Sequence, residues 1–182
     1  MKKLGILVSL LVATLFVGCE QTANVSSPTL YELQNVRFSH PDNWKVTEDV
    51  EENGFRYIFV ETSGDAIFII QLFEGMETLS LEEFSKEFSK NFSKGIQQEL
   101  EGGEFTDSTY SEVEHATAYG NQQGFLEKFT LTYAGQKVPH LREYYAIETG
   151  NKVAFLITQV ATADASKVKP GFSMILKSIV FD

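Results

Sequence analysis

The chain has 182 residues, 43% hydrophobic and 13% aromatic, enough apolar material for a sizeable core, which excludes disorder, collagen-like repeats and disulfide-dependent miniature folds. With 25 acidic against 15 basic residues the formal net charge is −10, so a phosphate backbone is repelled and nucleic acid is excluded as a partner. In chain order, Lys2 and Lys3 open a basic start, and residues 4–18 form an apolar run interrupted only by Gly5, Ser9, Thr14 and Gly18. A stable spanning helix needs about 20 residues, so residues 1–18 read as a cleavable export signal. Its loss removes two lysines and leaves the remainder, one domain's worth of chain, still more acidic.

Residues 16–19 read Phe-Val-Gly-Cys and resemble the lipobox of bacterial lipoproteins, with Phe16 where leucine is more usual. The resemblance implies a diacylglycerol thioether on Cys19, which becomes the first residue after cleavage. Cys19 is the only cysteine, so no intramolecular disulfide can form even in an exporting context. One acyl chain binds a bilayer marginally, whereas two or three anchor firmly. Glu20 stands where an aspartate is associated with inner-membrane retention, which favours the periplasmic face of the outer membrane. Residues 20–29 (EQTANVSSPT) are polar, small and weakly patterned, so residues 19–30 read as a lipidated flexible tether. If flexible, ten such residues hold the domain at roughly 17 Å r.m.s. from its anchor, and about 33 Å at full stretch. Residues 31–182 are then the folded domain.

Within it, residues 33–39 read as a first short strand, closed by a tight corner at His40, Pro41, Asp42 and Asn43 and resumed at Trp44, Lys45 and Val46. The acidic residues 48–54, with Glu48, Asp49, Glu51 and Glu52, read as a solvated loop. Residues 55–61 and 66–73 make two strands, the second apolar on both faces and therefore central. Ser80 and Glu83 match a capping box. After them Leu81, Phe84, Phe88, Phe92, Ile96 and Leu100 recur at helical spacing, which predicts a five-turn amphipathic helix ended at Gly102 and Gly103. Its phenylalanine stripe reads as core. Strands follow at residues 109–116, 124–133, 141–148 and 152–160, the compact turns at Ala134-Gly135-Gln136 and Thr149-Gly150-Asn151 favouring an antiparallel meander. Residues 164–178 suggest a short final helix disturbed at Pro170 and Gly171, and residues 179–181 close the chain as an edge strand or apolar tail.

The order of strands, helix, strand meander and helix defines an α+β class, an antiparallel sheet flanked by helices. Residues 38–46 (FSHPDNWKV) resemble the aromatic-x-x-Pro-x-x-Trp entry of the PsbP-like superfamily. The capped helix after the third strand and the closing residues 172–179 (FSMILKSI) are similar too. That resemblance implies an α/β/α sandwich over residues 31–182, and many members of the superfamily are accessory factors without catalysis.

The chemistry-bearing residues are sparse. His40, His115 and His140 have no His-x-x-x-His or Glu-x-x-His spacing and no partner cysteine, so no metal or cofactor is expected. Glu112 and Glu114 share one face of a strand and His115 takes the other, a solvated arrangement. No Gly-x-Ser-x-Gly elbow, glycine-rich phosphate loop or Walker sequence occurs, and 25 acids make any chosen carboxylate pair unspecific. The lone Trp44 reads as a core plug. The expected function is therefore non-enzymatic: an envelope lipoprotein, attached to the membrane through Cys19, that docks to a membrane protein complex or assists its assembly. The alternatives are a small-ligand or lipid carrier with a cavity between sheet and helix, and a hydrolase with spatially assembled residues.

Overall fold

The computed structural model describes residues 20–182, so the expected export signal and the expected lipidation of Cys19 lie outside the described residues. Strands β3 (Lys45–Glu52), β4 (Phe55–Glu61), β5 (Ile67–Glu74), β6 (Glu104–Thr117), β7 (Gly120–Tyr133), β8 (Gln136–Thr149) and β9 (Lys152–Ala161) form a seven-stranded antiparallel sheet in the order β3-β4-β5-β9-β8-β7-β6. A second, three-stranded sheet joins β1 (Thr29–Leu33), β2 (Val36–His40) and β10 (Val180–Phe181). Helix α1 (Leu81–Glu99) follows β5, and α2 (Ala165–Ser178) follows β9 through a short 3-10 turn.

Each face of the large sheet carries its own core, because strand side chains alternate with period two. On one face Ile69, Phe129, Tyr144, Phe155 and Ile157 pack under Phe84, Phe92 and Ile96 of α1. On the other, Ile58, Phe68, Ile70, Tyr145 and Leu156 meet Val168, Phe172, Ile175 and Leu176 of α2, together with Val36 and Phe38 of β2. The α1 box is formed as expected: the Glu83 N–H donates to Ser80 Oγ and the Ser80 N–H donates to the Glu83 carboxylate. The phenylalanine stripe lies inward. Trp44 is 1% exposed and edge-packed on Phe172 at 5.3 Å, which places it in the core.

Several boundaries differ from the sequence expectation. The first strand is a hairpin of β1 and β2 turned at Gln34, whose φ is +49°. The acidic residues 48–54 are mostly strand β3: an edge strand takes its pairing from backbone groups and tolerates charged side chains, which also discourage further pairing. Its turn at Asn53 and Gly54 has φ of +53° and +81°, the left-handed pair that a two-residue hairpin needs. Strand β6 begins at Glu104, earlier than expected, and the register shifts between Thr106 and Thr109, with Asp107 left-handed at φ +60°. Helix α2 runs unbroken through Pro170. Burial of Val168, Phe172, Ile175 and Leu176 outweighs the one lost helical bond.

Residues 20–24, expected within a loose tether, are fastened to the domain. Ala23 is in the α2-side core and its N–H donates to the Lys167 carbonyl at 2.9 Å. The partners are far away in sequence, so local composition gives no sign of them. Among the described residues no helix is long and apolar enough to cross a membrane.

Candidate functional site

Three features stand out, two polar clusters and one apolar pocket. The first surrounds Glu20, which is 2% exposed. Its Oε2 accepts from the Thr62 hydroxyl at 2.8 Å and the Ala66 N–H at 3.1 Å. The Gln21 N–H donates to Ser63 Oγ at 3.2 Å, the Asn24 N–H to Asn43 Oδ1 at 2.9 Å, and Asn43 Nδ2 to the Thr22 carbonyl at 3.1 Å. The Pro41 corner and the β4–β5 turn thus grip the segment from two sides. Gly64 makes room for it: a Cβ there would lie 2.6 Å from Glu20 Oε2 and 2.8 Å from its Cα. Burial pushes the Glu20 carboxyl up, the Thr62 and Ala66 hydrogen bonds pull it down, and the nearby Asp65 and Asp164 push it up again, leaving it above 4.5.

The second lies under α1. Arg142 and Glu127 are both fully buried, and Arg142 Nη1 donates to Glu127 Oε2 at 3.0 Å. Glu127 also accepts from Ser89 at 2.5 Å, Ser108 at 2.7 Å and Tyr144 at 2.7 Å, while Arg142 Nε donates to Gln159 Oε1 at 2.9 Å. The guanidinium carbon sits 4.2 Å from the Phe92 ring centre, 4.5 Å from Phe129 and 5.3 Å from Phe88, an aromatic cage around a desolvated cation. Burial raises the Glu127 pKa, but the Arg142 charge and the Ser89, Tyr144 and Ser108 bonds together prevail and hold it below 4.5. With its oxygens so fully engaged and solvent excluded, this carboxylate is a fixed structural group rather than an acid or base open to substrate. The sequence reading missed this pair. The available signal was Glu127 in phase with Phe125, Phe129 and Leu131 on an apolar strand face.

The third is an apolar pocket of about 200 Å³ between β5, β9 and the first half of α1, lined among others by Gln71, Phe73, Leu79, Phe84, Phe88 and Phe155. Gln71 is 1% exposed and its Nε2 has no hydrogen-bond partner.

The sequence-selected residues are dispersed. His40 Nδ1 is 2.8 Å from the Pro41 carbonyl and His115 Nδ1 is 2.7 Å from the Ala116 carbonyl. His140 is buried, stacked on Phe129 at 5.3 Å, with Nε2 3.6 Å from Asp65 Oδ2. Among the described residues no three His, Cys, Asp or Glu side chains gather as metal ligands. Glu114 accepts from Asn121 and Gln123 across the β6–β7 pair, both at 2.7 Å, and Glu112 is exposed beside it. Of the acidic run, Asp49 is taken by Arg56, whose Nη2 donates at 2.6 Å, and by the Tyr31 hydroxyl.

No known protein-family pattern matches the chain, and no curated protein does. Among solved structures it is similar to the solution structure of cyanobacterial PsbP, CyanoP, from Synechocystis, at 13% identity, covering 87% of this chain and 94% of that one with a TM-score of 0.51. The chain therefore has a PsbP-like α+β fold. It is also similar, at TM-scores of 0.42, to a protein of Bacteroides thetaiotaomicron (14% identity, 81% of this chain and 45% of that one) and to LpqN, involved in cell envelope biogenesis of Mycobacterium tuberculosis (10% identity, 85% and 84%).

Proposed function

We propose that the protein is a non-catalytic envelope lipoprotein, anchored through Cys19, that serves as an accessory or assembly factor for a membrane protein complex. The observation that carries the reading is the continuity between the lipobox-like residues 16–19 and the fastened residues 20–24, which brings the attachment point directly onto a folded domain. The PsbP-like fold supports the accessory role. The polar cluster under α1 is sealed from solvent and offers no seat for a substrate. The test combines intact mass of the envelope-extracted protein, in-cell cross-linking and the Cys19→Ala variant. A diacylglycerol adduct, release of the variant from membranes and a stoichiometric membrane partner are expected. A variant that remains fully membrane-bound would refute the anchor, and recovery of the protein with no partner would refute docking.

A second reading, a carrier of small apolar ligands, is favoured by the Gln71 pocket. Its walls are aromatic and its buried amide has an unused donor, which suits an apolar body bearing one carbonyl acceptor. Native mass spectra of the protein taken from the envelope would show an adduct lost in Gln71→Leu. Spectra free of adducts in both proteins would sink the carrier reading.

A further inference from the structure

We propose that the Glu20 clamp fixes the orientation of the domain on the lipid bilayer, holding the end that carries the β4–β5 turn, the Pro41 corner and the β7–β8 hairpin against the headgroups. The inference rests on the lipid-anchor reading of Cys19 and adds which part of the molecule meets the membrane.

Cys19 immediately precedes Glu20 in the chain, and consecutive Cα atoms across a trans peptide are about 3.8 Å apart. A free segment of ten residues would let the domain wander at roughly 17 Å r.m.s. and face any direction. Here the first residue after the cysteine is already buried, and residues 21–24 are bonded to Ser63, Asn43 and the Lys167 carbonyl. No slack remains between the attachment point and the β4–β5 turn.

The strand register identifies what else lies at that end. Ile67 at the start of β5 pairs with Gln159, and Ala161 at the end of β9 pairs with His140. Strand β8 begins at Gln136, before His140, and β7 ends at Tyr133, so their hairpin projects beyond the last residue of β9 at the clamped end. Lys45 opens β3 there, paired with Glu61. The opposite end holds the turns at Asn53 and Gly150, flanked by Glu51, Glu52, Glu74 and Glu148. A chain of net charge −10 draws no attraction from anionic lipids. A fixed pose must then come from the covalent lipid and a rigid link to it, and the clamp is such a link.

The test uses the full lipidated chain in vesicles of phosphatidylethanolamine and phosphatidylglycerol carrying a headgroup quencher. With Cys19 lipidated, a fluorophore can be placed on one added thiol, Gln136→Cys at the clamped end or Asn151→Cys at the other. Quenching several-fold stronger at position 136 than at 151 is expected. Glu20→Ala should abolish that difference, Glu20→Gln should preserve it, and Gly64→Ala, whose added methyl group invades the Glu20 seat, should abolish it without touching the segment itself. Equal quenching at both positions in a protein whose mass carries the adduct on Cys19 would overturn the orientation while leaving the anchor intact. So would an unchanged difference in both Glu20→Ala and Gly64→Ala. A mass without the adduct would overturn the anchor reading, and the orientation with it.

Discussion

Arg142 donates to Glu127 at 3.0 Å between two side chains that are both fully buried. Fifteen residues apart on neighbouring strands, they link β7 to β8 beneath α1, with the Phe92 and Phe129 ring centres 4.2 and 4.5 Å from the guanidinium carbon. Removing one partner leaves an uncompensated buried charge, so Arg142→Ala or Glu127→Ala is expected to cost about 3 to 5 kcal/mol. An apolar pair of similar volume removes both charges together. The double variant Arg142→Met, Glu127→Leu leaves Ser89, Tyr144 and Gln159 without those partners and is therefore expected to recover only part of that loss, as measured by urea unfolding of wild type, the two single variants and the double variant.

The same pair gives the acid limit of the fold. Glu127 is held below its ordinary value of 4.5, and Asp49, pushed up by burial but pulled down further by Arg56 and Tyr31, is held below 3.8. A carboxylate with a depressed folded pKa contributes stability that is present above the unfolded value and lost as pH falls through the folded one. Unfolding free energy should thus decline below pH 4.5, and Glu127→Gln should flatten that decline while lowering stability at neutral pH. A variant with the wild-type slope would contradict the assignment.

How far the sequence foretold this fold depended on whether the deciding partner was near or far. Helix α1 was legible because its capping pair, Ser80 and Glu83, and its stripe from Leu81 to Leu100 are local. The meander was legible because its turns carry glycine and its strands alternate. The second half of β3 looks like a loop in the sequence because Glu48, Asp49, Glu51 and Glu52 suggest a solvated run, although Asn53-Gly54 is a hairpin signal. Glu20 could not have been read at all: its partners Thr62 and Ala66 are 42 and 46 residues away, and nothing in EQTAN marks a docking segment. Arg142 and Glu127 were hidden for the opposite reason, being charges at positions where alternation alone prescribes apolar side chains.

Trp44 and Gly171 test the α2 side. A Cβ on Gly171 would lie 2.5 Å from Trp44 Cη2 and 2.8 Å from Pro41 Cγ, so the helix approaches the indole only because that position is bare. Trp44→Ala empties a fully enclosed site and should cost about 3 to 5 kcal/mol. Gly171→Ala improves helix propensity yet forces α2 away from the corner, so it too should lower the thermal midpoint. A Gly171→Ala protein more stable than wild type would show that the indole can shift freely.

Glu20 gives the converse pH dependence. Its carboxyl is raised above 4.5 when docked, first by burial and then by Asp65 and Asp164, against the opposing bonds from Thr62 and Ala66. Thr62 can offset that rise only in part: its Oγ1 stands 2.8 Å from Glu20 Oε2 and 2.9 Å from the Ala66 carbonyl, and its single proton serves only one of them. A protonated Glu20 donates to Thr62 Oγ1, which then donates to Ala66, and every group is satisfied. An acid whose docked pKa lies above its free value favours docking most at pH below 4.5, and that preference declines as pH rises through the docked pKa. Amide protection of residues 21–24, corrected for intrinsic exchange, should therefore fall as pH rises above 4.5. Glu20→Gln, neutral at every pH, should hold its protection constant across the same range. Parallel profiles for the two proteins would show that Glu20 does not govern the docking of the segment.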